Sequence, residues 1–356
     1  MRRITLVRHA HPDYPVGAHV CLGRTDLPLA PVGRMQGVLL EESLGDCHFT
    51  AVYSSPLMRC RETASHLCDS PVIEPSLSEQ DMGPWDGLDF SVIQRDWPEL
   101  YARRADEPLL VPPGAEPLAA VQARVMPALR NILSKSDGDI AVVAHASVIQ
   151  GILASVLACP LEESRPLRLN CASYTVLNAE GGRLTVGQSA VSPAADLCPA
   201  LASRLLDAAA PGSKVEQHCR AVAAEALQIA DALSGFVSID RNLLVCSALL
   251  HDIARSEPDH AYTGAKWLRL LGFPDAAAVV EQHHDWSGSD PDEAALLFLA
   301  DKCVQEDRRV SLDERFAASA CRCRGEKAFA AHERRRQAAF RLRDLVNALC
   351  GYELIL

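Results

Sequence analysis

The chain has 356 residues, of which 48% are hydrophobic and 23% charged, and its formal net charge is −11. This length exceeds what one hydrophobic core usually serves, so we expect two domains. The acidic balance argues against a nucleic-acid-binding surface. No apolar run reaches the roughly 18 residues of a membrane helix, and the start lacks a secretory pattern. With thirteen irregularly spaced cysteines, these features predict a cytoplasmic protein with reduced thiols and neither nucleic-acid nor membrane partners.

Three predicted strands of the first half are each followed by basic side chains. These are Arg8 and His9 after residues 4–7, Arg59 after residues 50–53, and His145 after residues 140–144. In an open, mostly parallel α/β sheet, ligands bind outside the carboxyl ends of the strands. There, guanidinium groups match phosphate oxygens, and a neutral imidazole can be a nucleophile. The pattern predicts phosphoryl transfer through a phosphohistidine.

These residues belong to five motifs that follow one another along the first half. They are Val7-Arg8-His9-Ala10, Gly23-Arg24-Thr25-Asp26-Leu27-Pro28-Leu29, Ser54-Ser55-Pro56-Leu57-Met58-Arg59, a segment over residues 77–87, and Ala144-His145-Ala146. On these motifs the chain resembles the histidine phosphatase (phosphoglycerate mutase-like) superfamily, and residues 23–29 are similar to its α-ribazole phosphatase branch. Ala10 and Ala146 stand where the family usually has glycine. The resemblance implies a three-layer α/β domain with a mostly parallel sheet.

The resemblance also implies the roles of the basic residues. His9 would attack phosphorus, while Arg8, Arg59 and His145 would hold the phosphate oxygens and stabilise the charge spread over them. The same residues would bind the substrate, and Arg24 would either line the pocket or serve an ordinary role in its loop.

Glu79 would be the general acid that protonates the leaving oxygen. A carboxylic acid can do this near neutral pH only if its pKa is raised, by burial or by the negative charge of the phosphate. Glu74 and Asp81 are the competing carboxylates. The register of Glu79 with the motif Gly83-Pro84-Trp85-Asp86-Gly87 favours it.

Taken singly, each residue allows a plainer interpretation. Arg59 is expected in a helix that Ser55 caps, with Pro56 in its first turn, so it could be solvated. His145 could be a hydrogen-bonded core histidine. Five motifs in order favour the shared site.

The composition and hydrophobic patterning of the sequence change between residues 188 and 212. Residues 172–177 and 184–186 predict a closing hairpin, whereas the sequence beyond residue 193 is rich in alanine and leucine with helical patterning. We therefore expect an α/β domain over residues 1–190, a linker over 191–212, and an all-α domain over 213–356. Within it, the run Arg334-Arg335-Arg336 predicts a solvated helix face or, less favoured, a docking surface for an acidic partner.

The helical half carries histidines and aspartates in the order His, His-Asp, His, His, Asp. They are His218, His251, Asp252, His260, His283 and Asp301. Asp252 and Asp301 lie in apolar helices, where an unpaired carboxylate is costly, so a metal ion is an expected partner. With residues 249–254 and 300–302, this order resembles the HD-domain metal-dependent phosphohydrolases that bind two metals, over about residues 214 to 310.

By that resemblance, one metal is held by His218, His251, Asp252 and Asp301. Asp252 would bridge to a second metal on His260 and His283, and the spacing from Val280 favours His283 over His284. Mixed imidazole and carboxylate ligands suit divalent Fe, Mn or Zn.

The sequence thus predicts a bifunctional phosphoester hydrolase. The N-terminal domain would dephosphorylate a small phosphorylated metabolite through phospho-His9, without metal. The HD domain would hydrolyse a nucleotide-like phosphoester with bound metals. Two alternatives remain open: the HD domain could be a metal-bearing ligand sensor that regulates the phosphatase without turnover, and the N-terminal domain could be a phosphomutase.

Overall fold

The computed structural model describes residues 2–15, 17, 19–104, 106–107, 109–164 and 169–353. The chain divides into two compact units, Met1–Ala195 and Asp196–Leu356. Among the described residues, no helix combines the length and the apolar character that crossing a membrane requires.

The first unit is built on a mixed sheet. Its described strands are β1 (Arg2–Arg8), β2 (Ala51–Ser54), β3 (Val72–Ile73), β4 (Ile140–Ala144), β5 (Tyr174–Glu180) and β6 (Arg183–Val191). The strand order is β3-β2-β4-β1-β5-β6; the first four strands are parallel, whereas β5 and β6 form an antiparallel hairpin at one edge. The predicted mostly parallel sheet with a closing hairpin is confirmed.

Helices pack on both faces of this sheet. The helices are α1 (Pro31–Leu44), α2 (Met58–Ser65), α3 (Phe90–Asp96), α4 (Pro98–Arg103), α5 (Leu118–Ser134), α6 (Ala146–Leu157) and α7 (Leu161–Ser164), with 3₁₀ turns at Pro75–Leu77 and Gly83–Trp85. Successive strand side chains point to opposite faces. Leu6 and Val142 therefore pack with α5 and α6, while Val7 and Val143 pack with α1 and α2. This is the three-layer arrangement that the sequence predicts.

Three neighbouring parallel strands end at the same edge of the sheet. In the register, Arg8 lies opposite Ala144, and Ser54 lies opposite Val143. Each strand stops there, so the next residue of each, namely Ser55, His145 and His9, enters the crevice at the carboxyl edge.

The second unit is helical. Its elements are α8 (Pro199–Ala209), α9 (Ser213–Ala232), α10 (Arg241–Leu250), α11 (His260–Leu270), α12 (Pro274–Glu281), α13 (Glu293–Lys302), the short strands β7 (Val304–Gln305) and β8 (Arg308–Arg309), α14 (Leu312–Ala320) and α15 (Glu326–Cys350). Residues 294–302 of α13 are all buried, so this helix is the centre of the unit. The predicted all-α domain is confirmed, apart from the small β7–β8 hairpin.

Part of the predicted linker is a packed helix. Residues 191–212 include α8, which contacts α10 and buries Leu201, Leu205 and Leu206. Because these apolar side chains belong to the core of the second unit, we place its start at Asp196 rather than after residue 212.

Candidate active sites

His9 follows β1 directly and is buried. Its Nδ1 lies 2.8 Å from the backbone oxygen of Ala10. A carbonyl oxygen can only accept a hydrogen bond, so the proton of the neutral ring is on Nδ1 and Nε2 carries a lone pair. Burial, and then the positive charges of Arg59 and Arg8, hold the pKa of His9 well below its ordinary value of 6.5. The ring is therefore neutral and nucleophilic at neutral pH.

Two arginines surround this ring and are fixed by backbone carbonyls. Arg59 lies in α2, is fully buried, and donates from Nη2 to Gly23 at 2.7 Å and from Nη1 to Thr25 at 2.9 Å. Arg8 donates from Nη1 to the carbonyl of Leu169. The Nε atoms of both arginines are buried without a hydrogen-bond partner among the described residues. Unpaired buried donors are costly, so they are available for an anion.

The loop that holds Arg59 is itself organised by one carboxylate. Asp86 accepts the backbone amides of Gly23 at 2.9 Å, Arg24 at 2.7 Å and Thr25 at 3.0 Å. Gly23 has no room for a side chain, because a Cβ there would lie 2.8 Å from the carbonyl oxygen of Gln80. The motifs over residues 23–29 and 77–87 thus form one interlocked structure behind Arg59.

His145 follows β4 and faces His9, with ring centroids 5.1 Å apart. Its Nε2 lies 2.8 Å from the hydroxyl oxygen of Ser55. The predicted Ser55 cap is wrong: α2 begins at Met58 with Leu57 as its N-cap, and the serine hydroxyl accepts the amide of Leu57 at 3.4 Å besides its shorter contact with His145. Burial and the neighbouring His9 lower the pKa of His145 well below 6.5.

Glu79 is the buried carboxyl group of this site. Burial raises the pKa of Glu79, while a hydrogen bond from the amide of Gln80 at 2.8 Å and the charges of Arg59 and Arg8 oppose the rise. The competing carboxylates are occupied elsewhere. Glu74 accepts the amide of Ser76 at 2.9 Å, and the Asp81 side chain is 42% exposed. Glu79 therefore best fits the requirement for a protonated carboxyl group.

Arg24 lies at the edge of the site in an ion-pair network. Its guanidinium is 45% exposed and lies 3.4 Å from Asp81 and 3.3 Å from Glu116. Arg124, which the sequence did not single out, pairs with Glu116 at 2.7 Å and donates to the backbone oxygen of Glu79 at 3.2 Å. Arg124 thus holds the segment that carries Glu79.

The second unit brings together two groups of possible ligands. His218, Asp301 and His251, from α9, α13 and the residue after α10, form the first group, with one candidate atom of each within 4.8 Å of the others. Nε2 of His218 is 3.1 Å and Nε2 of His251 3.8 Å from Asp301 Oδ1. Burial would raise the pKa of Asp301, but the charge of Lys302, 2.6 Å from Oδ2, acts together with His218 and His251 to hold that pKa well below its ordinary value, so the carboxyl group is ionised.

The second group consists of His260, His283 and His284. Nε2 of His260 and Nε2 of His284 are 2.8 Å apart. The sequence favours His283 over His284, whereas the structure brings both rings to His260, with centroids 5.5 and 4.7 Å from it. The two consecutive rings follow the end of α12.

Asp252 lies between the two groups. Its Oδ2 is 3.7 Å from Nε2 of His251 in the first group. Its Oδ1 is 3.1 Å from Nε2 of His260 and 3.6 Å from Nε2 of His283 in the second. A carboxylate that bridges two metal ions would need this placement, with one oxygen near each group of histidines.

The proton positions of the histidines test whether a metal fits. Nδ1 of His218, His251 and His283 lies 2.7–2.8 Å from the backbone oxygens of Glu306, Ala248 and Val280, respectively. Burial opposes the rise, but the hydrogen bond and charge of Asp301 raise the pKa of His218, so that ring can donate to Asp301. In neutral rings of His251 and His283 the same contacts put the proton on Nδ1, so lone pairs of Nε2, which have no hydrogen-bond partner among the described residues, face carboxylate oxygens. Such contacts repel unless a cation lies between them. Burial lowers the pKa of His251 to about 4, so it stays neutral, and the residues fit a metal centre.

Residues 4–190, just over half of the chain, match the model of the histidine phosphatase superfamily, branch 1. The chain belongs to the histidine phosphatase superfamily. Residues 215–305 match the HD domain model. Together, the two matches identify the chain as a phosphoric ester hydrolase with a histidine phosphatase domain and an HD domain, as the sequence predicts.

Several relatives of this histidine phosphatase cover its first half. Phosphoserine phosphatase 1 of Hydrogenobacter thermophilus is 30% identical over 190 residues, which are 51% of this chain and 89% of that protein. The solved mycobacterial glucosyl-3-phosphoglycerate phosphatase complexed with VO3 is 28% identical, covers 54% of this chain and 100% of its own, and has a TM-score of 0.50. The α-ribazole phosphatase of Shigella flexneri also matches, with 22% identity, coverage of 55% and 98%, and a TM-score of 0.49.

The family's usual glycines are replaced without strain in this member. Neither Ala10 nor Ala146 has a positive φ. The amide of Ala10 donates to Thr63 Oγ1 at 2.9 Å, and Thr63 Oγ1 donates to the backbone oxygen of Arg59 at 2.6 Å. The residue after His9 therefore links the nucleophile to α2 through its backbone, which alanine can do as well as glycine.

Proposed function

We propose that this chain is a bifunctional phosphoester hydrolase. The histidine phosphatase domain would hydrolyse a small phosphomonoester through phospho-His9, without metal. The observation that carries this proposal is the lone pair on Nε2 of His9, set beside the unpaired Nε donors of Arg8 and Arg59.

In the first step, Nε2 of His9 forms a bond to phosphorus as the ester P–O bond breaks. Arg8, Arg59 and His145 would hold the non-reacting oxygens, where the charge is concentrated. The proton of Glu79 passes to the departing oxygen, so the product leaves as an alcohol and Glu79 becomes a carboxylate. The raised pKa of Glu79 supports this role because the group must start protonated.

In the second step, water attacks phosphorus and the N–P bond breaks. The Glu79 carboxylate takes a proton from that water, which restores the acid and releases inorganic phosphate. Return of the phosphoryl group to a substrate hydroxyl, instead of water, would give mutase activity.

The relatives support a small metabolite as the substrate. Their names refer to phosphoserine and glucosyl-3-phosphoglycerate, which are both small phosphomonoesters. We extend that class, rather than either compound, to this chain. Within it, Arg24 would contact the substrate only after releasing Asp81 or Glu116.

In the HD domain, we propose hydrolysis of a nucleotide-like phosphoester. His218, His251, Asp252 and Asp301 would hold one divalent metal, and His260 and His283, with Asp252, a second; His284 is a further ligand candidate. When bound, such ions polarise the phosphoester and activate water. The chain supports this arrangement through Lys302, which holds Asp301 ionised, and through the carbonyls that fix the Nδ1 protons.

A crossed experiment separates the two activities. The full chain and its His9→Ala and Asp252→Ala variants are assayed on a panel of phosphomonoesters and nucleotides, with and without chelator. The proposal expects a chelator-resistant activity that His9→Ala abolishes and a metal-dependent activity that Asp252→Ala abolishes. Metal-loaded protein without turnover on any nucleotide would contradict HD hydrolysis and favour the sensor alternative.

A further inference from the structure

The HD-domain ligand cluster opens into a large cavity. It has a volume of about 930 Å³, and its lining includes His218, Asp252, His284 and Asp301. Residues of α14, α15 and the turn between them also line it, and these lie beyond residues 215–305 of the HD match. This volume suits a ligand of nucleotide size.

The lining of this cavity is strongly cationic. Its basic residues are Lys214, Arg255, Lys302, Arg315, Arg322, Arg324 and Arg335. Its acidic residues are Asp252, Asp301 and Glu306, and the first two are proposed metal ligands. The lining residues other than the proposed metal ligands therefore carry a net positive charge.

Three of these cations have structural roles. Lys302 pairs with Asp301, and Arg255 lies 2.9 Å from Nε2 of His260. Arg335 makes a two-point ion pair with Asp285, with distances of 2.7 and 2.6 Å, which ties α15 to the segment carrying His284. The prediction of a merely solvated face at residues 334–336 is thus wrong for Arg335.

The remaining cations lack such partners. Among the described residues, no carboxylate lies within ion-pair distance of Lys214, Arg315, Arg322 or Arg324. Arg315 is half-buried near the start of α14, and Arg322, which is exposed, follows that helix; both line the cavity. Like charges that share a cavity repel one another, and a bound anion would relieve this repulsion.

We propose that Arg315 and Arg322 bind a second, non-reacting phosphate of the substrate, so the HD domain takes small molecules with at least two phosphate groups. This inference rests on the proposed hydrolase function, since it assigns the reacting phosphoester to the metal cluster. One phosphate at the proposed metal ligands would leave the charges of Arg315 and Arg322 without a partner. This guanidinium pair selects for the second phosphate through charge-assisted hydrogen bonds.

Calorimetry on the metal-loaded full chain tests this assignment. A His9→Ala background prevents phosphoryl transfer in the first unit. The probes are adenosine 3′,5′-bisphosphate and adenosine 5′-monophosphate, which differ by one phosphate. The double variant Arg315→Gln/Arg322→Gln is compared with Arg334→Gln, an exposed arginine of α15 outside the cavity lining. Any binding to the first unit is common to all variants and cancels in the comparison.

We expect the parent protein and Arg334→Gln to bind the bisphosphate more tightly than the monophosphate. The double variant should lose roughly tenfold in bisphosphate affinity, a value discounted for the partial exposure of both arginines. Its monophosphate affinity should change much less, and added salt should weaken the bisphosphate preference in the parent.

Equal affinities for the two probes in the parent, or equal losses for both in the double variant, would overturn the inference. The same samples are assayed for hydrolysis of bis(p-nitrophenyl) phosphate, which reports on the proposed hydrolase alone. Selective binding of the bisphosphate without hydrolysis would refute the proposed hydrolase function but support phosphate binding by Arg315 and Arg322. Hydrolysis without selective binding would refute phosphate binding by these arginines but support the hydrolase function.

Discussion

Replacing Glu79 by glutamine should separate substrates by the basicity of their leaving groups. The change keeps the size of the side chain, and the amide oxygen can still accept the hydrogen bond that Gln80 donates at 2.8 Å. It removes the proton that the proposed acid would donate, whose retention burial favours by raising the pKa of Glu79. A strongly basic alkoxide needs that proton in order to leave, whereas p-nitrophenolate does not.

The expected loss follows from this difference. General acid catalysis typically contributes about 10²–10⁴-fold, so turnover of an alkyl phosphate such as phosphoserine should fall by that factor. Turnover of p-nitrophenyl phosphate should change far less. Since burial raises the pKa of Glu79, wild-type activity on the alkyl ester should fall as the pH rises through that elevated value. In Glu79→Gln this decline should disappear.

Steady-state kinetics with chelator present, on both substrates and across pH, provide the assay. Asp81→Asn is the matched control, because Asp81 is a nearby competing carboxylate that is 42% exposed. It should affect both substrates in the same proportion. An equal loss on the two substrates in Glu79→Gln, or a leaving-group effect in Asp81→Asn, would refute the assignment of the acid.

Three other measurements address separate parts of the two sites. Ser55→Ala removes the hydroxyl that lies 2.8 Å from Nε2 of His145. It should lower kcat/KM about tenfold, which matches the loss of one hydrogen bond in a buried site, and leave the circular dichroism spectrum native. An undiminished kcat/KM would show that the contact does not position His145. Burial and two arginines lower the pKa of His9, so its ring stays neutral below pH 6.5. The value of kcat/KM for p-nitrophenyl phosphate should therefore persist below that pH. A decline in kcat/KM centred at pH 6.5 would contradict the lowered pKa. Asp252→Ala should remove nearly all bound metal, whereas His260→Ala or His283→Ala should leave about one ion in mass-spectrometric metal analysis, since Asp252 has one oxygen near each group. Full metal content in Asp252→Ala would refute the bridging role.

The sequence predicts the sheet edge well because strand ends are local features. The apolar runs before His9 and His145 predict buried strands, and the structure places those strands side by side. Parallel pairing then brings both histidines to one crevice, whatever the intervening segments do. The order of the histidines and aspartates in the second half resembles that of the HD-domain phosphohydrolases, and this resemblance likewise predicts a cluster before any helix packing is known.

Contacts that depend on tertiary structure could not be predicted. Ser55 resembles a helix cap locally, but its partner is His145, which is 90 residues away. The carbonyl of Glu306 that fixes the His218 ring comes from the β7–β8 hairpin, and backbone oxygens carry no sequence signal. The sequence around Arg335 predicts an ordinary surface cation, because its ion pair with Asp285 depends on the tertiary structure.

The linker prediction was wrong for a related reason. The change in composition between residues 188 and 212 suggests a linker, yet α8 lies within that range and buries three leucines in the core of its own unit. The helical spacing of Leu201 and Leu205 is the signal that could have indicated this.

The central claim, a phosphohistidine at His9, is tested most directly by trapping it. Wild-type protein is mixed with a labelled phosphomonoester in the presence of chelator, quenched during turnover, and digested for mass spectrometry. The account predicts an acid-labile, base-stable phosphoryl group on His9 in the wild type and none in His9→Ala. Turnover without any such adduct, or a phosphoryl group on another residue, would contradict it.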